Sequence, residues 1–415
     1  MFVIAILAGF YMAWNIGAND VGNAFGMSVG SGALTLRRAI FLAGVFEFCG
    51  AFFVGAPVAT TISSKIIIPS DFLSRVARPE ALGIGMVAAL LGSSIWLNIA
   101  TFFGQPVSTT HAIIGAVIGF GTVAAGPACI RWSGMGTIAA SWVVSPVIGG
   151  MLAYCIYRFC MKRVVMESHH PVHRALTVMP IALGGLVAIV AFSIVYKGLP
   201  GLRLDLPLRW ALPLSLAAGV VVLAAFRVVI LRRRRRHGSL DADRYEVVER
   251  WFGYMQVPTA CYMAFAHGAN DVANAIGPVA GAIEAFRRHQ FPEHISIGAG
   301  ILAFGGVGIV VGLATYGYKV IESLGKRITE ITPTRGFSAD FATATTVLVF
   351  SKLGMPISTT FVIVGAVMGV GIARGFGAID LKVIRRIFAS WLVTIPISAV
   401  LTAVIYWTLM ALYHP

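Results

Sequence analysis

The chain carries two short polar stretches twice, each in a largely hydrophobic setting. Residues 11–30 match residues 262–281 at 12 of 20 positions, around a common Gly-Ala-Asn-Asp-Val sequence, here called the GAND motif. Residues 104–121 match residues 354–371 at 11 of 18 positions, around a common Pro-x-Ser-Thr-Thr sequence, here called the STT motif. We therefore expect a fold made of two related units.

The distance between the two motifs is also kept in both copies. Asn19 precedes Ser108 by 89 residues, and Asn270 precedes Ser358 by 88 residues. Such constant spacing indicates that a whole structural unit is repeated, and not only its motifs.

The composition places both units in a membrane. Hydrophobic residues make up 58% of the chain and charged residues 12%, whereas a soluble domain has about 25% charged residues. Uncharged runs such as 82–104 and 176–196 can cross a hydrocarbon core about 30 Å thick as helices of about 20 residues. We expect an all-α, polytopic membrane protein. The opening stretch has no basic region and no cleavage site, so it is expected to be a first span.

The net charge, the cysteines and the enzyme motifs of the sequence argue against several classes of function. Membrane topology explains the net charge of +15, and no soluble basic face suggests a nucleic-acid partner. The five cysteines lack metal-ligand spacing, and their odd number argues against a full disulfide framework. No HExxH motif is present. We expect neither enzymatic catalysis nor a bound cofactor.

Hydropathy predicts twelve spans. They lie near residues 2–30, 39–62, 82–103, 106–125, 136–158, 176–197, 209–231, 252–280, 295–318, 338–351, 356–373 and 384–412. The two spans with GAND motifs are rich in Gly and Asn, so we expect both helices to be broken there. The fourth and eleventh spans are short, and an incomplete crossing is considered for both.

The basic residues predict the orientation. Loops after the odd-numbered spans, counted together with the adjoining span ends, hold 22 of the 32 Lys and Arg residues, and cytoplasmic loops are the ones enriched in these residues. Both termini are then outside an inner or plasma membrane. The polar loop 232–251, which begins with five Arg residues, is expected to be cytoplasmic.

The span count divides the chain into three parts. We expect residues 1–160 to form a first repeat of five spans, residues 161–249 two linking spans with the basic loop, and residues 250–415 a second repeat of five spans. Seven spans precede the second repeat, and an odd number inserts it in the opposite orientation. An inverted repeat of this kind is typical of many secondary transporters.

The GAND motifs place an acid inside two spans. A charged side chain there costs at least about 2.5–3.5 kcal/mol, so Asp20 and Asp271 are expected to have partners and a function. Carboxylate, amide and exposed backbone carbonyl oxygens bind hard cations, and they suit proton carriage equally well. A structural role at a helix break is the alternative. The neighbouring amides belong to Asn19, Asn23, Asn270 and Asn274.

Each STT motif combines a proline with hydroxyl residues before a long apolar run. The pattern predicts helices that begin inside the membrane, at 106–110 and 356–360. The first turn of a helix has unpaired N–H groups and a positive end, so it binds anions without a cationic side chain. Two such starts brought together would surround a tetrahedral oxyanion. Simple capping by Ser and Thr is compatible with this role.

Four further polar residues lie in or near the predicted spans. Glu47 is in the middle of a span, which favours a function. Asp340 is at the expected start of a span, where the helix dipole accounts for an acid. His111 and His267 each occur in one copy of the repeat only, and we expect both to be hydrogen-bonded structural residues.

The motifs and their order resemble those of the inorganic phosphate transporter family. The stretches concerned are 17–35, 46–55, 104–111, 267–278 and 340–360. Members of this family are twelve-span, inverted-repeat symporters that move phosphate with sodium or protons, and they often form homodimers. The resemblance covers both repeats. Phe361 stands where the family usually has His, Gly22 where it has Ala, and position 340 is more often Glu.

The resemblance implies two sets of site residues. Phosphate contacts are implied for Ser108, Thr109, Thr110, Ser358, Thr359 and Thr360. Cation handling, with Na⁺ at the two GAND aspartates, is implied for Asn19, Asp20, Asn23, Asn270, Asp271, Asn274, Glu47 and Asp340.

The sequence therefore favours a secondary symporter that moves inorganic phosphate together with Na⁺ or H⁺. The anion is expected near the membrane centre, between the two STT helix starts. A proton-coupled permease for sulfate or another tetrahedral oxyanion is the first alternative, because hydroxyl and backbone donors discriminate poorly by substrate charge. An ion channel or a non-transporting receptor is more remote, since channels tend to build rings from oligomer symmetry.

Overall fold

The structure is a computed structural model. It describes residues 1–76, 78–103, 107–166, 171–196, 206–236, 244–288, 295–317, 332–375 and 381–413. These residues form fourteen α-helices and one isolated β-bridge, between Ile67 and Ile130. The predicted all-α class is confirmed. Pro106, the proline of the first STT motif, lies outside the described residues.

The helices follow the predicted spans in order. The first repeat contains α1 (Phe2–Gly30), α2 (Leu36–Val54), α3 (Ala56–Ser64), α4 (Pro69–Val76), α5 (Pro79–Phe102), α6 (Thr109–Ala125) and α7 (Trp132–Phe159, continued by a π-helical segment Cys160–Met166). The linking helices are α8 (Pro171–Val195) and α9 (Leu208–Arg236). The second repeat contains α10 (Arg244–Arg288), α11 (Ala299–Gly312), α12 (Pro333–Lys352), α13 (Thr359–Arg374) and α14 (Leu381–Leu412).

Most of these helices are suited to a bilayer. Among the described residues, seven helices are long and apolar enough to cross a membrane, and the bent pair of α2 and α3 makes an eighth. Helices α6 and α13 have 17 and 16 residues, or about 25 Å at 1.5 Å per residue, which is short of a full hydrocarbon core. The multi-pass membrane character is confirmed, and the count of twelve crossings stays a prediction.

The expected break at the GAND motifs is wrong. Helices α1 and α10 run through both motifs without interruption. Their glycines serve close packing instead: a methyl group on Gly17 would overlap the carbonyl of Ile309, and one on Gly268 would overlap the carbonyl of Glu47. Such close helix crossings outweigh the low helix propensity of Gly, about 1 kcal/mol per residue. The motifs therefore offer side-chain oxygens, and not freed backbone carbonyls, as ligands.

A break does occur in the second predicted span. The axes of α2 and α3 differ by 63°. Gly55 lies at the junction, and Pro57 in the first turn of α3 has no N–H group to continue the hydrogen-bond ladder of α2. The bend brings α3 to the loop before the second STT motif, where the Thr61 hydroxyl donates to the carbonyl of Gly354 at 2.7 Å.

The predicted polar loop 232–251 is shorter than expected. Helix α9 continues to Arg236, and α10 begins at Arg244. Arg is a good helix former, so a run of positive charge does not end a helix. Residues 237–243 of the expected loop lie outside the described residues.

The two repeats interlock in the core. Helix α10 packs against α2, and α1 packs in the same way against α11. Likewise α6 packs along α14, and α13 along α7. The helix contacts made by one repeat are therefore made again by the equivalent helices of the other repeat. Helices α1 and α10 also pack against each other, which brings the two GAND motifs into one buried region.

Candidate functional site

Two helices begin in the protein interior at the STT motifs. Ser108 and Ser358 are the N-caps of α6 and α13, and both are buried. Their hydroxyl oxygens accept hydrogen bonds from the backbone N–H groups of His111 (3.2 Å) and Phe361 (3.3 Å). A cap of this kind satisfies one of the four N–H groups that a helix start leaves unpaired. The positive end of each helix therefore remains able to hold an anion.

The two helix starts contact each other. The Thr110 hydroxyl donates to the carbonyl of Ile357 at 3.0 Å. The rings of His111 and Phe361 lie 4.4 Å apart in an edge-to-face arrangement. Beyond the first turn the helices separate, because α6 follows α14 and α13 follows α7. The two STT motifs therefore line one buried region from two sides.

Each GAND motif is hydrogen-bonded to the STT motif of the other repeat. The Asn23 amide donates to the Thr360 hydroxyl at 3.0 Å. In the equivalent position, the Asn274 amide donates to the hydroxyls of Thr109 (3.3 Å) and Thr110 (3.2 Å). These crossed bonds place the GAND carboxylates next to the helix starts.

The two GAND carboxylates are buried beside their own amides. Asp20 Oδ1 accepts a hydrogen bond from Asn19 at 3.1 Å. Asp271 Oδ1 accepts from Asn270 at 2.6 Å, and Asp271 Oδ2 accepts from the Thr359 hydroxyl at 2.8 Å. Each carboxylate is thus oriented by the residue that precedes it in the chain.

Hydroxyl groups from the neighbouring helices hold these amides in place. The Thr101 hydroxyl donates to Asn19 Oδ1 at 2.9 Å, and the equivalent Ser351 hydroxyl donates to Asn270 Oδ1 at 3.3 Å. The Asn270 amide also donates to the carbonyl of Ile357, at 2.7 Å. The amide oxygens of Asn19 and Asn270 are therefore already engaged, whereas Asp20 Oδ2 and Asn274 Oδ1 are buried without a hydrogen-bond partner among the described residues.

His267 joins the carboxylates into one cluster. Its Nε2 atom lies 2.8 Å from Asp271 Oδ2 and 3.9 Å from Asp20 Oδ2, and its Nδ1 atom lies 3.2 Å from Glu47 Oε1. All four side chains are buried. One ligand atom from each of Asp20, His267 and Asp271 falls within 4.8 Å of the others, a spacing that a single metal ion can bridge.

Sequence reasoning missed the place of His267. It treated this residue as structural because the first repeat has Ile16 at the same position. One signal was available: His267 precedes Asp271 by four residues, which puts both on the same face of a helix. The sequence did select Glu47, and the structure adds that its carboxylate faces the His267 ring.

Comparison with known proteins decides the family. The model of the phosphate transporter family matches residues 16–402. This chain belongs to that family. The inorganic phosphate transporter 2-1, chloroplastic, of Arabidopsis thaliana is 42% identical over 97% of this chain and 71% of its own length. A protein of Pyrococcus furiosus is 45% identical over 99% of this chain and 96% of its own length.

A solved structure gives the same assignment. It is named the sodium-dependent phosphate transporter, and it is similar to this chain with a TM-score of 0.91 and 38% identity, covering 99% of each chain. The chain is therefore a membrane permease of the phosphate transporter family, and it is not an enzyme. The family that the motifs resemble is confirmed.

Asp340 does not lie at the start of a helix. Helix α12 begins at Pro333, so the dipole explanation is wrong, because that effect is confined to the first turn. Asp340 is buried, and neither carboxylate oxygen has a hydrogen-bond partner among the described residues. None of the hydrogen bonds and ion pairs of the described residues links it to the Asp20–Asp271 cluster.

The caps of the two STT helices can be tested by measuring stability. Ser108→Ala and Ser358→Ala should each lower the free energy of unfolding by about 1 kcal/mol, because the N–H groups of His111 and Phe361 lose their acceptor. Denaturation of the purified transporter in detergent measures the loss. Ser74→Ala removes an exposed hydroxyl on α4 and serves as the control. Equal stability of all three variants would contradict the capping geometry.

Proposed function

We propose that this transporter is a symporter that couples the movement of inorganic phosphate to Na⁺. The observation that best supports the proposal is the crossed hydrogen bonding, from Asn23 to Thr360 and from Asn274 to Thr109 and Thr110. Each bond connects the acid-bearing helix of one repeat to the anion-facing helix start of the other. A cation that binds at the acid-bearing helix of one repeat then changes the geometry of the helix start in the other repeat, and coupling requires such a change.

Phosphate is proposed to sit between the two STT helix starts. Backbone N–H groups and hydroxyls at these starts supply several donors, and the helix dipoles favour a negative guest. The hydrogen bond from Thr110 to the carbonyl of Ile357 keeps the two starts next to each other, so that the donors of both can face one anion. The proposed phosphate ligands are Ser108, Thr109, Thr110, Ser358, Thr359 and Thr360.

Na⁺ is proposed to bind at the GAND carboxylates. An unaccompanied phosphate carries one or two charges into a buried region, at a cost of tens of kcal/mol in the limit of a fully dry interior. A cation at Asp20 and Asp271 offsets this cost one hydrogen bond away from the anion. Carboxylate oxygens are ligands that hard cations prefer, and the structural neighbour is named as sodium-dependent. The wider cation-handling set comprises Asn19, Asn23, Asn270, Asn274, Glu47 and Asp340.

Reconstitution tests the proposal. Purified protein in proteoliposomes should accumulate labelled phosphate under an inward Na⁺ gradient at equal pH. The matched experiment applies an inward proton gradient without Na⁺. Uptake under the proton gradient alone would replace Na⁺ by H⁺ as the coupled ion, and absence of uptake under both gradients would refute the symporter proposal.

The site also suggests a preference for phosphate over sulfate. Monohydrogen phosphate has a hydroxyl that can donate to a buried acceptor such as Asn274 Oδ1, which has no hydrogen-bond partner among the described residues, whereas sulfate has no proton to donate. A site that hydrogen-bonds a substrate hydroxyl rejects the analogue without it, here by at least about 100-fold. Competition assays should show inhibition of phosphate uptake by arsenate at comparable concentrations and by sulfate only in large excess. Equal competition by sulfate would favour the general oxyanion permease.

The proposal also includes the oligomeric state of the transporter and its orientation in the membrane. We place it as a homodimer in an inner or plasma membrane, with both termini outside and residues 232–251 in the cytoplasm. The distribution of Lys and Arg supports this orientation. A C-terminal tag that is cleaved by protease in intact cells, and a mass of two chains in detergent, are the expected results.

A further inference from the structure

The two GAND half-sites differ at the residue just before Gly-Ala-Asn-Asp. The first repeat has Ile16 at this position and the second has His267. Each lies four residues before the carboxylate of its motif, on the same helix face. His267 Nε2 therefore reaches Asp271 Oδ2 at 2.8 Å, whereas Ile16 offers no polar atom to Asp20.

The partner of His267 also has an equivalent in the other repeat. Gly268 of the second GAND motif packs against the carbonyl of Glu47, and Gly17 of the first packs against the carbonyl of Ile309. Glu47 on α2 and Ile309 on α11 thus occupy the same place relative to the two motifs.

A second pair of close contacts gives the same register. Gly50 follows Glu47 by three residues, and it packs against the carbonyl of Phe265. Gly312 follows Ile309 by three residues, and it packs against the carbonyl of Trp14, which aligns with Phe265. The equivalence of Glu47 and Ile309 therefore does not depend on one contact.

One half-site thus contains a buried His–Glu pair where the other contains two isoleucines. The consequence is visible at the carboxylates. Asp271 has both oxygens engaged, by Asn270 at Oδ1 and by Thr359 and His267 at Oδ2. Asp20 Oδ2 is buried, has no hydrogen-bond partner among the described residues, and is 3.9 Å from His267 Nε2, beyond hydrogen-bond distance.

We propose that His267 and Glu47 are positioning residues that make the two carboxylates unequal. Glu47 orients His267, and His267 holds Asp271 as a fixed wall of the cation site. Asp20, with one free oxygen, is then the carboxylate that takes and releases the exchanging cation. This inference rests on the proposed Na⁺-coupled function.

The held carboxylate of Asp271 and the free oxygen of Asp20 favour cation binding in different ways. Holding Asp271 in advance lowers the ordering cost of binding, so the site needs less cation to fill. Leaving Asp20 Oδ2 without a partner means that no protein hydrogen bond has to be broken when the cation enters. The supporting pair thus acts on cation affinity through Asp271, in the way that outer residues tune metal sites.

The test copies the first repeat into the second. The double variant His267→Ile/Glu47→Ile installs the residues found at the equivalent positions, Ile16 and Ile309. Both partners are changed together because removing one would leave the other charged and unpaired in the interior, which is strongly destabilising. The Na⁺ concentration for half-maximal phosphate uptake should rise at least about tenfold, the usual effect of losing a supporting partner.

Two further measurements separate positioning from general damage. The concentration of phosphate for half-maximal uptake, taken at saturating Na⁺, should change less than about threefold, since the helix starts keep their bonds. The melting temperature of the variant in detergent should rise on addition of Na⁺ only at the higher concentrations. Ile189→Val, on the linking helix α8 and away from both motifs, is the control and should keep the wild-type Na⁺ curve.

A second variant covers a failure to fold. His267→Gln/Glu47→Gln keeps polar groups of similar size that can bond to each other and to Asp271. Its half-saturating Na⁺ concentration should rise at least about threefold. An unchanged Na⁺ requirement in whichever variant folds overturns the proposal while leaving the symporter intact. Absence of any Na⁺ effect on the wild-type protein overturns the proposed function and this inference together.

Discussion

Asp20→Asn should lower Na⁺-driven phosphate uptake by at least about 30-fold, because losing one partner of a buried charge interaction costs about 2–5 kcal/mol. The variant keeps the shape of the side chain and an oxygen able to accept from Asn19. It removes the negative charge that is proposed to attract the cation. The initial rate of labelled phosphate uptake into proteoliposomes, at equal amounts of reconstituted protein, measures the effect.

The control for Asp20→Asn is a carboxylate away from the site. Asp71 lies on α4, where Ser70 is its hydrogen-bond partner, and Asp71→Asn should leave uptake unchanged. The melting temperatures of both variants should stay near the wild-type value. Near-normal uptake by Asp20→Asn would remove this carboxylate from the coupling mechanism.

Gly268→Ala should destabilise the transporter by about 3 kcal/mol, at the upper end of the usual cost of overpacking. The added methyl group would overlap the backbone of Glu47, and a backbone cannot move aside as a flexible side chain can. Helices α2 and α10 must then separate at the point where His267 contacts Glu47. Thermal unfolding in detergent measures the loss of stability.

The control for this substitution is the same change in an open place. Gly185 lies inside α8, and a methyl group there would meet nothing within 4 Å. Gly185→Ala should be neutral or stabilising by up to about 1 kcal/mol, the difference in helix propensity. Equal melting temperatures for the two variants would show that the α2–α10 crossing is not as close as described.

Local patterns in the sequence predict a large part of this fold. Hydropathy placed the helices, and the Ser and Thr residues of the STT motif predicted where α6 and α13 begin. Both signals are local, since they depend on residues within one helix or its first turn. They are sufficient to predict the all-α membrane class and to identify the two repeated motifs.

The errors arose where the meaning of a residue depends on a distant partner. Gly17 and Gly268 suggested helix breaks, but each permits a close crossing with a helix far along the chain. His267 looked structural because its partner Glu47 comes from α2. Asp340 was assigned to a helix start because the hydrophobic run begins there, whereas the helix itself begins at Pro333. A pattern in one segment does not reveal which other segment packs against it.

The most direct test of the account locates the anion itself. Arsenate has the shape of phosphate, and arsenic gives an anomalous signal that identifies its position in a crystal of the protein grown with Na⁺. The account predicts one strong peak within hydrogen-bond distance of the hydroxyls of Thr110 and Thr360, between the starts of α6 and α13. A peak elsewhere, with this region filled only by water, would contradict it.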